Sequence, residues 1–290
     1  MKVDLNSDLG ESFGHYVLGN DEQILPLITA ANVACGFHAG DPNVMAQTVA
    51  IAEKNGVAIG AHPSYPDRIG FGRRHMDMQP ENVENMITYQ VAALQGFVKG
   101  HRLHHVKPHG ALYNAAAKSL PLALAICRGI KRVDPELPIY GLAGSQLITA
   151  AREIGLPYAS EVFADRAYQA DGTLVPRVKP HAVLHDPQEV AKRAVHMIQD
   201  QAVTAITGEH VELQVDTICV HGDNEEALAI VRALRSALKD AAIEIAPFVT
   251  NDRLHKGGRC LCKSTPKMAY LSCRQLMIRN YVRPRLVARF

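Results

Sequence analysis

Long apolar runs and a leader-like N-terminus are absent from this sequence. No apolar run approaches the roughly 18–20 residues that a membrane helix needs. The first residues, MKVDLNSDLGE, carry acidic side chains and no apolar stretch, so we expect no secretory signal. Tryptophan is also absent, which excludes no class of function. With 47% hydrophobic and 21% charged residues, the composition predicts a globular cytoplasmic protein that does not span a membrane.

Three short binding signatures are missing as well. No GxxxxGK(S/T) occurs, so this chain does not hold ATP in a P-loop. No GxGxxG follows the first strand-like run, which argues against a Rossmann nucleotide domain. No HExxH occurs, so a metal site would have to be assembled from residues on separate strands.

The six cysteines do not resemble a disulfide framework. Cys35, Cys127 and Cys219 are far apart in apolar surroundings, which predicts buried, reduced thiols. The other three fall within residues 260–273, where the CLC spacing differs from the CxxC of structural zinc sites. We therefore expect neither disulfides nor a structural zinc site.

The net charge of +2 conceals two different compositions. Residues 249–290 contain ten Lys or Arg and one acid, Asp252, which leaves 21 basic and 28 acidic residues in 1–248. We predict a compact acidic domain over residues 1–248 and a poorly ordered or loosely packed basic tail over 249–290. A nucleic-acid-binding arm is the alternative for the tail. Because its basic residues lack interleaved aromatics, nucleic acid is not an expected partner.

Apolar, strand-like runs alternate with helical patterns through residues 1–248. Since the runs are apolar on both faces and each precedes a helix, the pattern predicts an α/β fold of parallel strands covered by crossover helices. Seven such units fit a closed or nearly closed (β/α) barrel, with 243–248 as a candidate eighth strand and an open doubly wound sheet as the rival. The runs are KVDLN, ANVACGF, GVAIGAH, HHVKPH, LPIYGLA, YASEVFA and DTICVHG, and the predicted helices cover 21–29, 41–54, 80–100, 111–133, 145–153, 186–201 and 224–239.

Two local features refine this pattern. Asp41 before Pro42, and Asp186 before Pro187, are typical of an N-cap followed by the first helical residue. The segment DRAYQADGTLVPR, residues 165–177, is rich in turn residues. It predicts either a hairpin or lid over a site, or a long surface loop.

Four of the apolar runs end in a histidine beside Gly or Pro, namely His38, His62, His109 and His221. In parallel βα architectures the C-terminal ends of the strands converge on one crevice or barrel mouth. A single histidine there would more often be a hydrogen-bonded structural residue. Four on separate strands at the same end predict one shared active site.

The first strand adds a second polar signal at the same place. Alternation along the strand puts Asp4, Asn6 and Asp8 on one face. Polar side chains pointing into a barrel are costly unless a ligand, a metal or a hydrogen-bond network satisfies them. The remaining candidates at the strand ends are Glu11, Cys35, Asp41, Asp67, Arg68, Arg73, Arg74, Lys107, Tyr113, Asn114, Glu161, Asp165, Arg166 and Asp223.

Two chemistries fit these side chains. Asp8, His38 and His62 could bind a divalent ion that activates water, or could act without metal as general acid and base. Lys107 and Arg166 would neutralise an anionic substrate or a developing oxyanion. Cys35 beside the site could serve as a nucleophile, although a small buried thiol is the favoured interpretation.

Six motifs carry a resemblance to a known family. They are DLNSDLGESFG, ANVACGFHAGDP, GAHPSYPDRIGFGRR, VKPHGALYN, EVFADRAY and VHGD, in this order within residues 1–248. In this combination the sequence resembles the LamB/YcsF family. The resemblance implies a (β/α) barrel of the glycoside hydrolase and deacetylase type with seven strands. Members usually end close to IEIAPF, so the tail departs from the family pattern.

The resemblance also implies an activity, namely ATP-dependent opening of the lactam of 5-oxo-L-proline to L-glutamate. The implied partners are 5-oxoprolinase subunits B and C, with ATP and Mg²⁺ bound in the complex, and a homo-oligomer is left open. Water or a metal would be bound by Asp8, His38 and His62, and anionic groups by Lys107. A proton-transfer network would be completed by His109, Asp165, His221 and Asp223. The substrate would be bound by Asn6, Glu11, Arg73 and Arg166.

Two other function classes remain as alternatives. The first is a stand-alone metal-dependent amidohydrolase or deacetylase acting on a small amide or sugar, which would need neither ATP nor partners. The second is a non-catalytic regulatory subunit whose polar mouth binds a ligand without converting it. The density of ionisable groups disfavours the second, because a binding pocket rarely needs so many.

Overall fold

The protein forms a closed barrel of parallel strands. This computed structural model describes residues 1–221 and 225–250, without the side chain of Glu225. Seven strands make up the barrel: β1 Lys2–Leu9, β2 Ala30–Ala34, β3 Ala58–His62, β4 His105–Val106, β5 Ile139–Leu142, β6 Tyr158–Phe163 and β9 Thr217–Cys219. Each pairs in parallel with the next, and β9 pairs with β1, which closes the ring. The predicted seven-stranded (β/α) barrel is confirmed, and the open-sheet rival is wrong.

The candidate eighth strand lies outside this ring. Residues Glu244–Ile245 form β10, which pairs with Lys2 and Val3 at the start of β1 and with no other strand in the described part of the chain. Beyond it, Phe248 reaches the N-terminal end of the barrel, where its ring lies 6.1 Å from that of Tyr140. The Nε2 of His104 donates a hydrogen bond to the Phe248 carbonyl at 2.9 Å. The segment therefore covers the bottom of the barrel instead of widening it.

Helices pack around the barrel, and their bounds follow from caps and prolines. Asp41 accepts from the backbone N–H groups of Asn43 and Val44, as its predicted N-cap role requires. The predicted helix 111–133 is two helices, because Pro121 cannot continue one from the preceding turn. The helices are α1 Asp21–Ile24, α2 Pro42–Lys54, α3 Pro80–Gln95, α4 Gly110–Ala116, α5 Leu120–Val133, α6 Gln146–Ile154, α7 Pro187–Asp200 and α8 Glu225–Asp240.

Two excursions leave the βα pattern between β6 and β9. In the turn-rich segment, Tyr168 pairs with Leu174 and Arg166 with Val183 in isolated antiparallel bridges. A separate hairpin joins β7 Ala202–Thr204 to β8 His210–Glu212, which the sequence pattern did not reveal. No helix in the described part of the chain is long and apolar enough to cross a membrane.

Gly60 in β3 is needed because a histidine ring occupies the space that a side chain would take. A Cβ built at Gly60 would lie 2.3 Å from Nε2 of His105, which is itself fully buried. We expect Gly60→Ala to lower the free energy of unfolding by about 1–3 kcal/mol, the usual cost of overpacking a core. Chemical denaturation would measure this. Gly96→Ala, where the nearest atom lies 3.3 Å away, is the control and should change stability little. Equal stability of Gly60→Ala and wild type would contradict the packing.

Candidate active site

Polar side chains fill the interior of the barrel from β1 upward. Asp4 and Asn6 are buried and Asp8 is partly exposed at the top, on the single inward face that the alternation predicts. At the bottom Asp4 accepts hydrogen bonds from the hydroxyls of Thr29 and Thr217, at 2.5 and 2.7 Å. Burial raises the pKa of Asp4 despite these bonds. Its two hydroxyl partners place this carboxyl in a hydrogen-bond network below the mouth.

Lys107 is the centre of the site. It follows β4, and only 4% of its side chain is exposed. Its ammonium lies 2.8 Å from Glu161 Oε1, 3.1 Å from Asp8 Oδ1 and 3.0 Å from Asn6 Oδ1. Burial lowers the pKa of Lys107, but the charges of Asp8 and Glu161 outweigh it and hold the pKa well above its ordinary value. The lysine is therefore a permanent buried cation.

Asn32 in β2 and His105 in β4 hold Asn6 and Asp8 in place. Asn32 Nδ2 donates to Asn6 Oδ1 at 2.7 Å and to Asp8 Oδ1 at 2.9 Å. Its oxygen accepts from His105 Nε2 at 2.6 Å. Each of these polar atoms has a partner, so the network fixes Asp8 before any ligand binds.

Four side chains cluster at the mouth, and one of them, His62, contacts Asp8. His62 Nε2 lies 3.3 Å from Asp8 Oδ2 and 2.9 Å from His109 Nδ1. The ring of His38 stacks on that of His109, with centroids 3.9 Å apart, and His38 Nε2 lies 3.3 Å from Glu11 Oε1. The structure therefore brings together three of the four predicted strand-end histidines, with both carboxylates.

Burial and mutual charge set the protonation of this group. Burial raises the pKa of Asp8, but the charges of His62 and Lys107 hold it well below its ordinary value, so Asp8 is a carboxylate. Burial and neighbouring imidazoles keep the pKa values of His38 and His109 well below the usual histidine range. Burial also raises the pKa of Cys35 to about 12, so that cysteine is a neutral thiol and not a nucleophile at neutral pH.

A second charged pair lies at the edge of the mouth. His221 Nδ1 lies 2.9 Å from Asp165 Oδ2, and Arg177 Nη2 lies 3.5 Å from the other nitrogen of His221. Arg166 donates instead to the backbone carbonyls of Val175 and Ala182, which braces the turn-rich segment. Its predicted role in substrate binding stays a prediction. Asp223 lies outside the described residues.

The pair predicts a pH-dependent contribution to stability. Burial lowers the pKa of His221, but the charge of Asp165 outweighs it and raises this pKa above the ordinary value of 6.5. Burial raises the pKa of Asp165, but His221 and the nearby arginines outweigh it and lower this pKa below the ordinary value of 3.8. Stability from the pair is therefore lost as pH rises through the raised pKa of His221, and again as pH falls through the lowered pKa of Asp165. We expect His221→Asn to cost about 1–3 kcal/mol near neutral pH and progressively less at alkaline pH.

Denaturant titrations of both proteins across pH would test this expectation. His185→Gln is the matched control, because the His185–Glu226 pair is largely exposed and should contribute little at any pH. A cost of His221→Asn that stays constant between neutral and alkaline pH would contradict the ion pair.

Known proteins are similar to this chain in sequence and in fold. The model of the LamB/YcsF family matches residues 3–253, which is most of the chain. This chain belongs to the LamB/YcsF family. The A subunit of 5-oxoprolinase from Limosilactobacillus fermentum is 70% identical over 244 residues, covering 84% of this chain and 98% of that protein. Its counterpart from Pyrococcus furiosus is 55% identical over 250 residues, covering 86% and 98%.

A solved structure gives the same result for the fold. The lactam utilization protein from Thermus thermophilus superposes with a TM-score of 0.81 at 44% identity, covering 86% of this chain and all of that one. The predicted family resemblance is confirmed. The barrel of this LamB/YcsF member is therefore shared with a relative whose name refers to lactams.

Several members of the site were missed or left without a role by sequence reasoning. Asn32, His105 and Cys219 were not predicted to belong to it, and Glu161 and Tyr113 were noted at strand ends but given no task. Tyr113 donates to Glu161 Oε2 at 2.6 Å, and Lys107 Nζ lies 3.0 Å from Cys219 Sγ. The available signal was period-two alternation, which puts Glu161 on the inward face of β6.

The arrangement has two chemical capacities. Asp8 with His62 can orient a water molecule and take its proton beside a fixed cation. Glu11, His38, His62 and His109 also present ligand atoms within 4.8 Å of one another, so this cluster could hold a metal ion.

Proposed function

We propose that this chain is the A subunit of a 5-oxoprolinase and that residues 1–248 are the unit that opens the lactam of 5-oxo-L-proline to L-glutamate. Relatives with that name match at 55–70% identity over 98% of their length. The observation that carries the proposal is the buried Lys107–Asp8 pair beneath His62 at the mouth. A fixed cation and a carboxylate facing an imidazole suit the addition of water to an activated amide.

The chemistry of a lactam explains why the site is so polar. An amide carbonyl is a poor electrophile, so phosphorylation of its oxygen by ATP would precede attack by water. Asp8, with His62, would accept the proton of the water that adds to the ring carbonyl carbon. The ring C–N bond then breaks, the nitrogen takes up a proton to become the amine of glutamate, and the former ring carbonyl is left as an acyl phosphate. A second water molecule hydrolyses this acyl phosphate, which releases phosphate and leaves the side-chain carboxylate of glutamate. His109 stands next to His62 to relay protons in this step.

Cations at the mouth would hold the substrate carboxylate. Arg73 is exposed on the loop after β3, and Arg177 lies beside His221. Glu11 would face the ring nitrogen, while Asn6, buried beneath Lys107, would act by positioning the ammonium. Asp165, His221 and Asp223 would carry protons at the rim. These roles are proposals for the geometry described above.

The proposal places ATP with Mg²⁺ in a complex with 5-oxoprolinase subunits B and C. The sequence has no P-loop motif, and the relatives are named as one subunit of an enzyme, which implies an assembly. The stand-alone metal hydrolase is the second candidate, supported by the ligand-capable histidine cluster. It would act without nucleotide, which separates it from the first.

The test is glutamate formation from 5-oxo-L-proline by this chain, full length and truncated after Phe248. Each form is assayed alone, with ATP, and with ATP plus subunits B and C. We expect glutamate only in the last mixture, from both forms. Hydrolysis of an amide by the chain alone would support the second candidate. No turnover in the assembled complex would overturn the first.

A further inference from the structure

Two histidines at the mouth have their tautomers fixed by backbone carbonyls. His62 Nδ1 lies 2.7 Å from the carbonyl oxygen of Lys107, and His109 Nε2 lies 2.9 Å from that of Phe71. A carbonyl oxygen only accepts, so in each ring the proton is on the nitrogen that faces the backbone. The other two nitrogens, His62 Nε2 and His109 Nδ1, face each other at 2.9 Å. Two lone pairs at this distance repel unless a positive group lies between them.

The spacing of these atoms suits a metal ion. Imidazole nitrogens bind transition metals at about 2.1 Å, so two ligands about 90° apart would be separated by about 3.0 Å. Glu11 Oε1 lies 3.7 Å from His109 Nδ1, and the ligand atoms of Glu11, His62 and His109 all lie within 4.8 Å of one another, close enough to face one ion. The backbone contacts of both histidines are the outer-shell hydrogen bonds that metal-binding imidazoles usually make.

Charge favours a cation between the two imidazoles. When ionised, Asp8, Glu11 and Glu161 carry three negative charges, and Lys107 supplies one positive charge among them. Arg73 acts on Glu11 from the exposed side, which still leaves the group with an excess of negative charge.

We propose that His62 Nε2, His109 Nδ1 and the carboxylate of Glu11 bind one divalent transition-metal ion. These are three of the four residues whose ligand atoms lie within 4.8 Å of one another. The fourth, His38, contacts Glu11 and positions that carboxylate, so His109 and Glu11 take the places that Asp8 and His38 have in the ligand set predicted from sequence. Mixed imidazole and carboxylate ligands suit Zn²⁺, Mn²⁺ or Co²⁺ better than Ca²⁺ or Mg²⁺. The site follows from the described contacts. An ion bound there would occupy His62 Nε2 and His109 Nδ1, so the two rings would not relay protons while it is bound, and Asp8 would remain as the general base.

The test is metal binding by the full-length chain without substrate or partners. Chelator-treated protein is titrated with Mn²⁺, Zn²⁺ and Co²⁺, and binding is followed by calorimetry, thermal shift and the visible spectrum of Co²⁺. We expect one equivalent bound at the mouth and a rise in Tm. His109→Gln and Glu11→Gln should each weaken binding by at least the roughly 10–100-fold that loss of an outer-shell partner costs. Circular dichroism and the metal-free Tm check that the variants fold.

The exposed His75 gives a matched control, and His75→Gln should bind as wild type does. Cysteines in residues 260–273 could bind metal adventitiously, and a Co²⁺–thiolate charge-transfer band would reveal this. Binding that shows this band and survives His109→Gln would overturn the proposal. The proposal would also be overturned if none of the three ions bound and ¹⁵N spectra showed a proton shared by His62 and His109.

Discussion

Lys107→Met is expected to destabilise the barrel and to abolish lactam opening. The substitution keeps most of the side-chain volume but leaves the carboxylate of Glu161, fully buried, and that of Asp8 without their cation. Removing one partner of a buried ion pair typically costs about 3–5 kcal/mol, because the other charge stays in a medium of low polarity. Chemical denaturation measures the loss of stability, and glutamate formation by the complex with subunits B and C measures the loss of activity.

A second substitution separates charge from packing in this result. In Lys107→Met/Glu161→Gln the unpaired carboxylate is removed as well, so we expect part of the stability to return while activity stays lost. Lys118→Met, at an exposed lysine, is the control and should resemble wild type in both measurements. A Lys107→Met protein as stable as wild type would show that the ammonium does not balance Glu161 and Asp8.

Asp8→Asn is expected to abolish turnover while the fold survives. The amide can still accept from Asn32 and Lys107 through its oxygen, so the hydrogen-bond network is largely kept. It cannot take a proton from water, and its NH₂ group would face His62 in place of the carboxylate oxygen. General acid–base groups typically contribute about 10²–10⁴-fold to the rate, and we expect kcat to fall by this amount.

The measurement is kcat for glutamate formation by the complex, with thermal unfolding of the isolated chain as the check on folding. Asp77→Asn is the matched control, since the side chain of Asp77 is fully exposed and pairs with His75, away from the mouth. Its kcat should equal that of wild type. Full activity of Asp8→Asn would remove Asp8 from the mechanism.

The barrel can be predicted from the sequence because each strand and each helix has its own local pattern of apolar residues. Each strand is a short apolar run followed by a helical pattern, and that combination has few architectures open to it. The same holds for Asp4, Asn6 and Asp8, whose common face follows from alternation along one strand. The histidines at the strand ends were predicted to meet, and His38, His62 and His109 lie within one cluster.

What sequence reasoning missed depends on contacts between distant elements. Asn6 and Glu161 are 155 positions apart, and only closure of the ring through β9 brings them together around Lys107. The periodicity of apolar residues in the sequence does not show that Arg166 donates its hydrogen bonds to backbone carbonyls, or that β7 and β8 form a hairpin. The tautomers of His62 and His109 likewise depend on carbonyl groups from other loops.

A crystal structure of the full-length chain with 5-oxo-L-proline bound would test the location of the chemistry most directly. We predict the lactam at the barrel mouth, with its ring carbonyl beside Asp8 and His62 and its carboxylate near the exposed arginines of the rim. A ligand bound elsewhere would contradict this, for example in the groove of about 350 Å³ between α7 and the β7–β8 hairpin, which Lys192 and Arg193 line.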